Sequence, residues 1–246
     1  MKIPISKRLL CCAEMLPPDS RVADIGCDHG YLGIYLAKNR LARHVICSDL
    51  RQKPLQRAEN NALAFGVSQE LEFRLGSGLQ TVMPGEIDAV VCAGMGGELI
   101  AQLLDSCGWI CSPQYTLILQ PQASGNDLRR WLGQNRFSIV EERLVIDGRF
   151  LYSVLRAQYG AGAALTPGQQ YVSAAVLNNA AHLLAPYLQR VHSGLLRAVH
   201  GLSKSKDVQR LRYYEAALAE VEEVIRQYGD SQTNFGVLKD PGASGL

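Results

Sequence analysis

The chain has 246 residues and a formal net charge of +2, and its composition is that of an ordinary soluble protein. This length fits one large domain, or one domain with an appendage. No apolar run approaches the roughly 20 residues that a membrane span needs, and residues 1–16 lack the cleavage site of a signal peptide. A net charge so close to zero gives no argument for a nucleic-acid partner, so the distribution of charge must be considered instead.

The seven cysteines all lie in the first half of the chain, and none forms a Cys-x-x-Cys pair. This pattern favours buried, reduced thiols over a disulfide framework or a zinc site. We therefore expect a cytoplasmic protein without a bound metal. The cysteines are Cys11, Cys12, Cys27, Cys47, Cys92, Cys107 and Cys111.

Short apolar runs alternate with helix-like segments along the first part of the chain, which predicts five β-α units. The runs are almost continuously apolar, as is typical of parallel strands that are covered on both faces. The predicted strands span residues 21–25, 44–49, 70–75, 87–93 and 115–119. The predicted helices span residues 5–16, 30–40, 54–65, 98–106 and 127–135.

Two longer apolar runs, 137–146 and 150–159, flank the sequence Asp147-Gly148-Arg149. Asp-Gly between two apolar runs predicts a β-hairpin, whose strands are antiparallel. A parallel sheet that ends in such a pair is typical of class I methyltransferases, whereas ordinary Rossmann dehydrogenases end on another parallel strand. The predicted fold is an α/β, Rossmann-like class I methyltransferase domain over residues 1–159, with a seven-stranded, mostly parallel sheet.

Beyond this domain, apolar residues recur every three to four positions in two long stretches that are separated by a break at 201–206. The pattern predicts two amphipathic helices that form an antiparallel, coiled-coil-like hairpin over residues 166–229. Pro186 should kink or interrupt the first of them. Residues 230–246 are rich in Gly, Ser, Asn and Pro and predict a loose tail.

The turn after the first predicted strand reads Asp24-x-Gly26-x-Asp28-x-Gly30. A dinucleotide-binding turn needs glycine where Asp28 stands, because the backbone meets a pyrophosphate there. A carboxylate at this point repels phosphate but suits S-adenosylmethionine, which carries a sulfonium and an ammonium group. The turn therefore predicts S-adenosylmethionine as the cofactor, although a simple helix cap by Asp28 is the alternative.

Three further loops at the carboxyl ends of predicted strands extend this site. Asp49 is placed to accept hydrogen bonds from both ribose hydroxyls, with a solvent-facing acid at the end of a strand as the alternative. Residues 76–78 follow the third strand, where an adenine edge is usually read. Residues 93–97 carry glycines that let a substrate approach the backbone, with plain tight turns as the alternative for both loops. The predicted cofactor-binding residues are Asp24, Gly26, Cys27, Asp28, Gly30, Asp49, Leu50, Gly76, Ser77, Gly78, Ala93, Gly94, Met95 and Gly96.

Two aromatic residues beside the turn are candidates for substrate contact. His29 is suited to act as a base or to orient a substrate, and equally to cap the helix or pack in place. Tyr31 is suited to stack on a base turned out of an RNA, or to line the core. With Asp28, these two residues are the candidate catalytic residues.

Six basic residues lie around the break between the two C-terminal helices, whereas residues 213–230 are mainly acidic. A segment polarised in this way has one basic end, which predicts RNA contact through phosphates, with a solvated surface as the alternative. The candidate RNA-binding residues are Arg190, Arg197, Lys204, Lys206, Arg210 and Arg212.

Together these patterns resemble the bacterial tRNA (adenine(22)-N(1))-methyltransferase family. The resemblance rests on four segments: residues 22–32, 76–79, 93–100 and 117–121. It covers residues 3–158 well and matches the C-terminal helices in kind. The family usually has Gly-Ser-Asp-His-Ala-Tyr-Leu-Pro at the first turn, from which Cys27, Gly30 and Gly33 depart beside an intact Asp-His pair. These departures concern fine substrate tolerance more than activity.

The resemblance implies methyl transfer from S-adenosylmethionine to N1 of an adenosine in the D-arm region of tRNA. It makes tRNA the expected partner, and a monomer is slightly favoured over an oligomer. Asp28 would then accept the proton lost by the N6 amino group, or hold the charge that develops there. The alternatives are a methyltransferase for another RNA or a small molecule, and a non-catalytic adaptor that binds the cofactor and dimerises through its helices.

Overall fold

The computed structural model describes residues 2–204 and 206–237, with side chains through Gly229. Within this part, seven strands form one sheet and seven α-helices surround it. The strands are β1 Ser20–Ile25, β2 Ala42–Asp49, β3 Leu71–Leu75, β4 Ala89–Gly96, β5 Thr116–Ala123, β6 Phe137–Asp147 and β7 Phe150–Tyr159. The helices are α1 Lys7–Glu14, α2 Tyr31–Lys38, α3 Gln52–Phe65, α4 Gly97–Asp105, α5 Gly125–Gln134, α6 Ala181–Leu202 and α7 Val208–Val237.

The strand order is β3-β2-β1-β4-β5-β7-β6. The first five strands are parallel, and β7 lies antiparallel between β5 and β6. The predicted fold class is therefore confirmed, including the antiparallel pair at one end. The strand order reverses between β1 and β4, so the carboxyl ends of these strands frame the crevice where open α/β sheets bind ligands.

Successive residues of the central strands face opposite sides of the sheet, which explains their continuous apolar character. On β4, Val90 packs against α4 and α5, whereas Val91 packs against α1, α2 and α3. On β5, Leu117 packs on the face that α4 and α5 cover, and Ile118 packs on the opposite face. Both faces are thus buried, and the sheet is a rigid platform for the loops at its carboxyl edge.

The structure extends two of the predicted strands toward that edge. β4 continues to Gly96 and β5 to Ala123, and the two extensions pair with each other. The register shifts on both sides of Met95, which marks an irregular, bulged pairing. Hydrogen-bonded glycines and polar residues carry this extension, so an apolar pattern does not reveal it.

The first of the two C-terminal helices begins later than its periodicity predicts. Ala174–Asn178 form a short 3₁₀ segment, and α6 begins at Ala181. The side chain of Asn179 accepts a hydrogen bond from the Leu144 backbone N–H at 2.8 Å and donates one to the Glu142 carbonyl at 2.7 Å. These bonds hold the segment against β6, and they replace the helical bonds expected there.

α6 is one helix that includes Pro186, so of the predicted kink or interruption the interruption is wrong. The proline lies in the second turn, where it removes a single backbone donor and the rest of the helix continues. At the other end, α7 reaches Val237, so residues 230–237 of the expected tail are helical. Extending an existing helix costs less than starting one, which offsets the poor helix propensity of this stretch. Residues 238–246 lie outside the described residues.

The hairpin of α6 and α7 packs against the antiparallel end of the sheet rather than projecting freely. Leu184, Tyr187 and Leu195 of α6 form an apolar cluster with Leu144 of β6 and Val221 of α7. Within the described part of the chain, no helix is long and apolar enough to cross a bilayer. Six of the seven cysteines are buried, Cys111 is half-buried, and all seven are free thiols.

A buried ion pair lies at the centre of this contact. The guanidinium of Arg129 on α5 forms two hydrogen bonds with the Glu142 carboxylate on β6. Ser173 Oγ donates to the same carboxylate at 2.6 Å, and the Tyr187 hydroxyl lies 3.3 Å from Arg129 Nη2. Both charges are almost fully buried, so these partners join the sheet, the 3₁₀ segment and α6 into one network.

Candidate active site

A cavity of about 620 Å³ lies at the carboxyl ends of β1, β2 and β4, where the topology predicts a ligand site. We call it the main cavity. Thirteen residues that the sequence singled out lie in its wall: Asp24, Gly26, Cys27, Asp28, His29, Tyr31, Asp49, Leu50, Ser77, Gly78, Ala93, Gly94 and Met95. Gly30, Gly76 and Gly96 were also predicted to contact a cofactor, but they do not line it.

The first turn is held against β2 by two backbone bonds. The N–H groups of Gly26 and Cys27 both donate to the Ser48 carbonyl, at 2.8 and 2.9 Å. Gly26 has a φ of +73°, and a Cβ on it would lie 2.5 Å from Met95 Cε. The absence of a side chain thus allows the loop after β4 to close over the turn. Gly30 serves the packing of α2 instead, because a Cβ there would lie 2.8 Å from Ala58 Cβ.

Asp49 is buried at the end of β2, and its carboxylate is fixed by two backbone donors. Oδ1 accepts from the Arg51 N–H at 2.9 Å, and Oδ2 accepts from the Asp28 N–H at 3.2 Å. A carboxylate oxygen has two lone-pair directions, so each oxygen keeps one for a ligand hydroxyl. The side chain is therefore pre-oriented toward the main cavity.

Asp24 lies deeper, with 4% of its surface exposed. Burial and the nearby charge of Asp49 together raise the pKa of Asp24 to about 7. The cavity thus holds two close carboxyl groups, and Arg51 Nε lies 4.0 Å from Asp49 Oδ1. A positively charged ligand would relieve their repulsion, whereas a phosphate would increase it.

Asp28, His29 and Tyr31 lie together at the mouth of the cavity. Asp28 has a φ of +48°, a left-handed conformation that few residues other than glycine, Asn and Asp adopt readily. Its Oδ2 lies 3.6 Å from His29 Nε2, and the His29 ring stacks on the Tyr31 ring at 5.6 Å between centroids. Since about half of each charged side chain is exposed, the group is accessible to a large substrate.

The walls that would face a flat base are mostly apolar. Ser77 and Gly78 follow β3, and Leu99 and Leu103 of α4 line the same side. A Cβ on Gly78 would lie 2.5 Å from Leu103 Cδ2, so glycine allows this close approach. Gly76, in contrast, faces Thr81 and has a structural role in the turn.

Arg8, which lines the main cavity, and the buried Gln120 were not predicted as site residues from the sequence. Arg8 of α1 donates from Nη1 to Gln120 Oε1 at 2.9 Å, and the Gly94 N–H donates to the same oxygen at 3.1 Å. Arg8 Nε also lies 3.5 Å from Asp147 Oδ2, in the turn between β6 and β7. The only sequence signal was Gln120-Pro121 after a buried strand, which belongs to the segments that carry the family resemblance.

The six basic residues of the hairpin do not form one cluster. Arg190 lies on α6 near β7, where its Nη1 donates to the Leu151 carbonyl at 2.6 Å. The other five are exposed at or beside the turn between α6 and α7. Arg210 lies in the wall of a cavity of about 740 Å³ that Glu98 and Ser124 also line. The basic turn therefore lies beside the loops after β4 and β5, at the same edge of the sheet as the main cavity.

Among the side chains that the structure describes, no group of three His, Cys, Asp or Glu residues is arranged to hold a metal ion. The chemistry of the main cavity is instead that of two buried carboxyl groups, apolar walls and a polar mouth.

Comparison with known proteins agrees with this geometry. A family model described as a methyltransferase domain matches residues 5–155. The chain is similar to the tRNA (adenine(22)-N(1))-methyltransferase of Bacillus subtilis (strain 168), with 29% identity over 239 residues; the match covers 97% of this chain and 93% of that protein.

Two solved structures extend the likeness to three dimensions. The Bacillus subtilis tRNA methyltransferase TrmK matches with a TM-score of 0.78 and 27% identity over 91% of this chain and 100% of that one. A Streptococcus pneumoniae protein solved in complex with S-adenosyl-L-methionine matches with a TM-score of 0.73 and 26% identity, over 87% and 99%. Since the family match spans well over half of the chain and includes every strand that frames the main cavity, this chain belongs to the methyltransferase domain family.

Proposed function

We propose that this chain transfers a methyl group from S-adenosylmethionine to N1 of the adenosine at position 22 of tRNA. The observation that carries the proposal is the acidic first turn, which lines the cofactor side of the main cavity and presents Asp28 and His29 at its mouth. The likeness to the Bacillus subtilis enzyme over nearly the whole chain supports the choice of substrate.

The main cavity suits S-adenosylmethionine, which supplies an electrophilic methyl group on a sulfonium. Asp49 offers two fixed carboxylate oxygens to the ribose hydroxyls, and Asp24 offers a buried negative charge to the cationic end. Ser77, Gly78 and Leu103 form a narrow wall suited to the adenine ring. We assign the rest of the cofactor contacts to the first turn and to residues 93–95.

The residues at the mouth would position the acceptor base. N1 of adenine has a lone pair, so it attacks without prior removal of a proton, and catalysis is mainly orientation. The base must leave its pairing in the folded tRNA to reach the cavity, and Tyr31 with His29 offers a stacked surface to receive it. Asp28 would accept a hydrogen bond from the N6 amino group, whose acidity increases as N1 becomes methylated.

The basic turn of the hairpin would hold the tRNA body through its phosphates. Arg197, Lys204, Lys206, Arg210 and Arg212 are exposed near the edge of the sheet that carries the main cavity. We also propose that the protein acts in the cytoplasm, because its buried thiols suit a reducing compartment, and that it acts there as a monomer. Light scattering with and without tRNA tests the oligomeric state.

Labelled methyl transfer tests the proposal directly. Unmodified tRNA transcripts are incubated with the protein and S-adenosylmethionine labelled in the methyl group, and the product is digested and mapped. We expect 1-methyladenosine at position 22, and no product from a matched transcript that carries guanosine there. Label at another nucleotide, or none in any transcript, would contradict the proposal.

Asp28→Asn tests the role of the Asp28 carboxylate at the mouth of the main cavity. Asparagine adopts positive φ as readily as aspartate, so the turn and its backbone bond to Asp49 should persist. We expect kcat to fall at least tenfold while the dissociation constant of the cofactor changes less than threefold. Full turnover in this variant would rule out the assigned role of Asp28.

A further inference from the structure

The turn between β6 and β7 is tied to Arg8, which lies in a wall of the main cavity that we call the acceptor side. Asp147 and Phe150 are register partners at this turn. Asp147 contacts Arg8, which in turn contacts Gln120 beside the loop after β4. These contacts fix the turn beside the wall of the main cavity that contains Arg8.

An exposed aromatic cluster occupies this turn. The Phe150 side chain is a large apolar group with 53% of its surface exposed. The guanidinium of Arg149 lies 5.1 Å from the centroid of its ring, and the Tyr152 ring lies 6.1 Å away, inclined at 56°. An exposed phenylalanine beside an arginine and a second ring is a surface suited to a flat, electron-rich partner.

A second cavity, of about 460 Å³, adjoins this cluster. Phe150 and Tyr152 line it together with Arg190, and Gln122 lies in the wall of both this cavity and the main one. Its lining includes two arginines and no Asp or Glu. Arg129 is neutralised by its pair with Glu142, so the exposed charge is that of Arg190, which is positioned by its bond to the Leu151 carbonyl.

We propose that Arg149, Phe150, Tyr152 and Arg190, which we call the aromatic tip, bind the nucleotide of the RNA substrate next to the methylated adenosine. Phe150 stacks on the base of that nucleotide, and Arg149 and Arg190 contact phosphates on either side of it. The inference rests on the proposed function. The aromatic tip would give the RNA a second point of contact on the acceptor side of the cavity. If only the methylated adenosine were bound, the neighbouring nucleotides would remain free to rotate.

Charge and chemistry favour RNA over a protein partner at this surface. A cavity with cations and aromatic rings but no carboxylates complements a chain of phosphates and bases. The cavity at the basic turn differs, because Glu98, Asp127 and Asp207 line it beside Arg130 and Arg210. The aromatic tip thus joins the main cavity to the rest of the RNA-binding surface through Gln122.

Phe150→Ala, Phe150→Tyr and Leu63→Ala form a matched series. Leu63 is an exposed apolar residue on α3, so its variant controls for loss of exposed apolar surface alone. Loss of a stacked base weakens binding by roughly 5- to 100-fold. We therefore expect Phe150→Ala to raise the KM for tRNA about tenfold, with kcat at saturating tRNA and the KM for S-adenosylmethionine unchanged. Phe150→Tyr and Leu63→Ala should remain within twofold of the wild type.

Arg149→Gln and Arg190→Gln test the phosphate contacts. Each should raise the KM for tRNA about threefold. Each should also reduce the slope of log KM against log salt concentration by the amount expected for one phosphate contact. Thermal melting and the cofactor dissociation constant serve to show that each variant is folded.

The outcomes separate this inference from the proposed function. If the wild type methylates tRNA and Phe150→Ala has an unchanged KM, the aromatic tip is not an RNA contact and the proposed function stands. If Phe150→Ala instead alters sedimentation while its KM for tRNA is unchanged, Phe150 covers a second protein chain, and the inference is overturned. A wild type that transfers no methyl group to tRNA overturns both.

Discussion

The two sides of the main cavity are built in different ways. On the side that we propose for the cofactor, the first turn and the end of β2 supply two carboxyl groups, Asp24 and Asp49, and both are buried. The wall that contains Arg8, which we propose as the acceptor side, is held instead by contacts between segments far apart in the chain, from Arg8 to Gln120 and to Asp147. Buried local structure leaves little freedom for variation, whereas an assembled, partly exposed wall can change with the substrate.

The largest effect is expected where the loops of the acceptor side meet. A Cβ on Gly97 would lie 2.1 Å from the Ser124 carbonyl oxygen, which belongs to the backbone, whereas one on Gly96 would meet nothing within 4 Å. We expect Gly97→Ala to force the loops after β4 and β5 apart and to lower kcat more than 100-fold. Gly96→Ala should retain near-normal kcat. Equal kcat values for the two variants would show that this approach is not needed.

Charge reversal at the basic turn should affect tRNA and leave the cofactor side intact. Replacing Arg197, Lys204, Arg210 and Arg212 by Glu should raise the KM for tRNA at least 30-fold at low salt, because several phosphate contacts are lost together. The dissociation constant of the cofactor should not change. Arg40→Glu, two residues after the end of α2, is the control, and it should have no effect on the KM. An unchanged KM in the fourfold variant would mean that the turn is only a solvated surface.

The cofactor side should respond to pH through Asp24, whose pKa is raised to about 7. A carboxyl group with a raised pKa favours folding below its ordinary pKa, and this contribution is lost as the pH rises through about 7. A cationic cofactor favours the ionised form, so its affinity should increase roughly tenfold from pH 6 to pH 8. Calorimetric titration should show this slope in the wild type and its absence in Asp24→Asn. A flat wild-type profile would contradict it.

The smallest effect is expected at Arg8. Lysine keeps the positive charge but loses the planar geometry that places Nη1 on Gln120. We expect Arg8→Lys to lower kcat about threefold without changing the affinity for the cofactor. Lys7→Ala, at the exposed neighbouring position, should leave both quantities unchanged in steady-state assays. A larger change in cofactor affinity than in kcat would place Arg8 on the other side of the cavity.

The sheet could be predicted from the sequence because its signals are local, and most of the residues expected to bind the cofactor lie together in the main cavity. Val90 and Val91, which are adjacent in the sequence, pack in the two apolar layers on opposite faces of the sheet. The residues of the first turn that were expected to contact a ligand all lie within the seven positions from Asp24 to Gly30. Glycines were the less reliable part of this prediction. Gly30 and Gly76 are needed for packing, and their spacing does not distinguish that role from contact with a ligand.

The acceptor side could not be predicted, because its contacts join residues about a hundred positions apart. Arg8 reaches Gln120 only through the packing of α1 against the sheet, and no pattern within either segment records that contact. The start of α6 was missed for a related reason. Asn179 bonds to β6, and this tertiary contact overrides a helical periodicity that is otherwise continuous.

The buried pair of Arg129 and Glu142 has a consequence for how a target nucleotide is selected. The Tyr187 hydroxyl of α6 lies 3.3 Å from Arg129 Nη2, so moving the helical hairpin away from the sheet would remove a hydrogen-bond partner from this buried charge, and the hairpin cannot swing freely about the sheet. The distance from the basic turn to the main cavity is therefore fixed. A rigid RNA that rests on the turn would present only the nucleotide at that distance, whatever the bases in between.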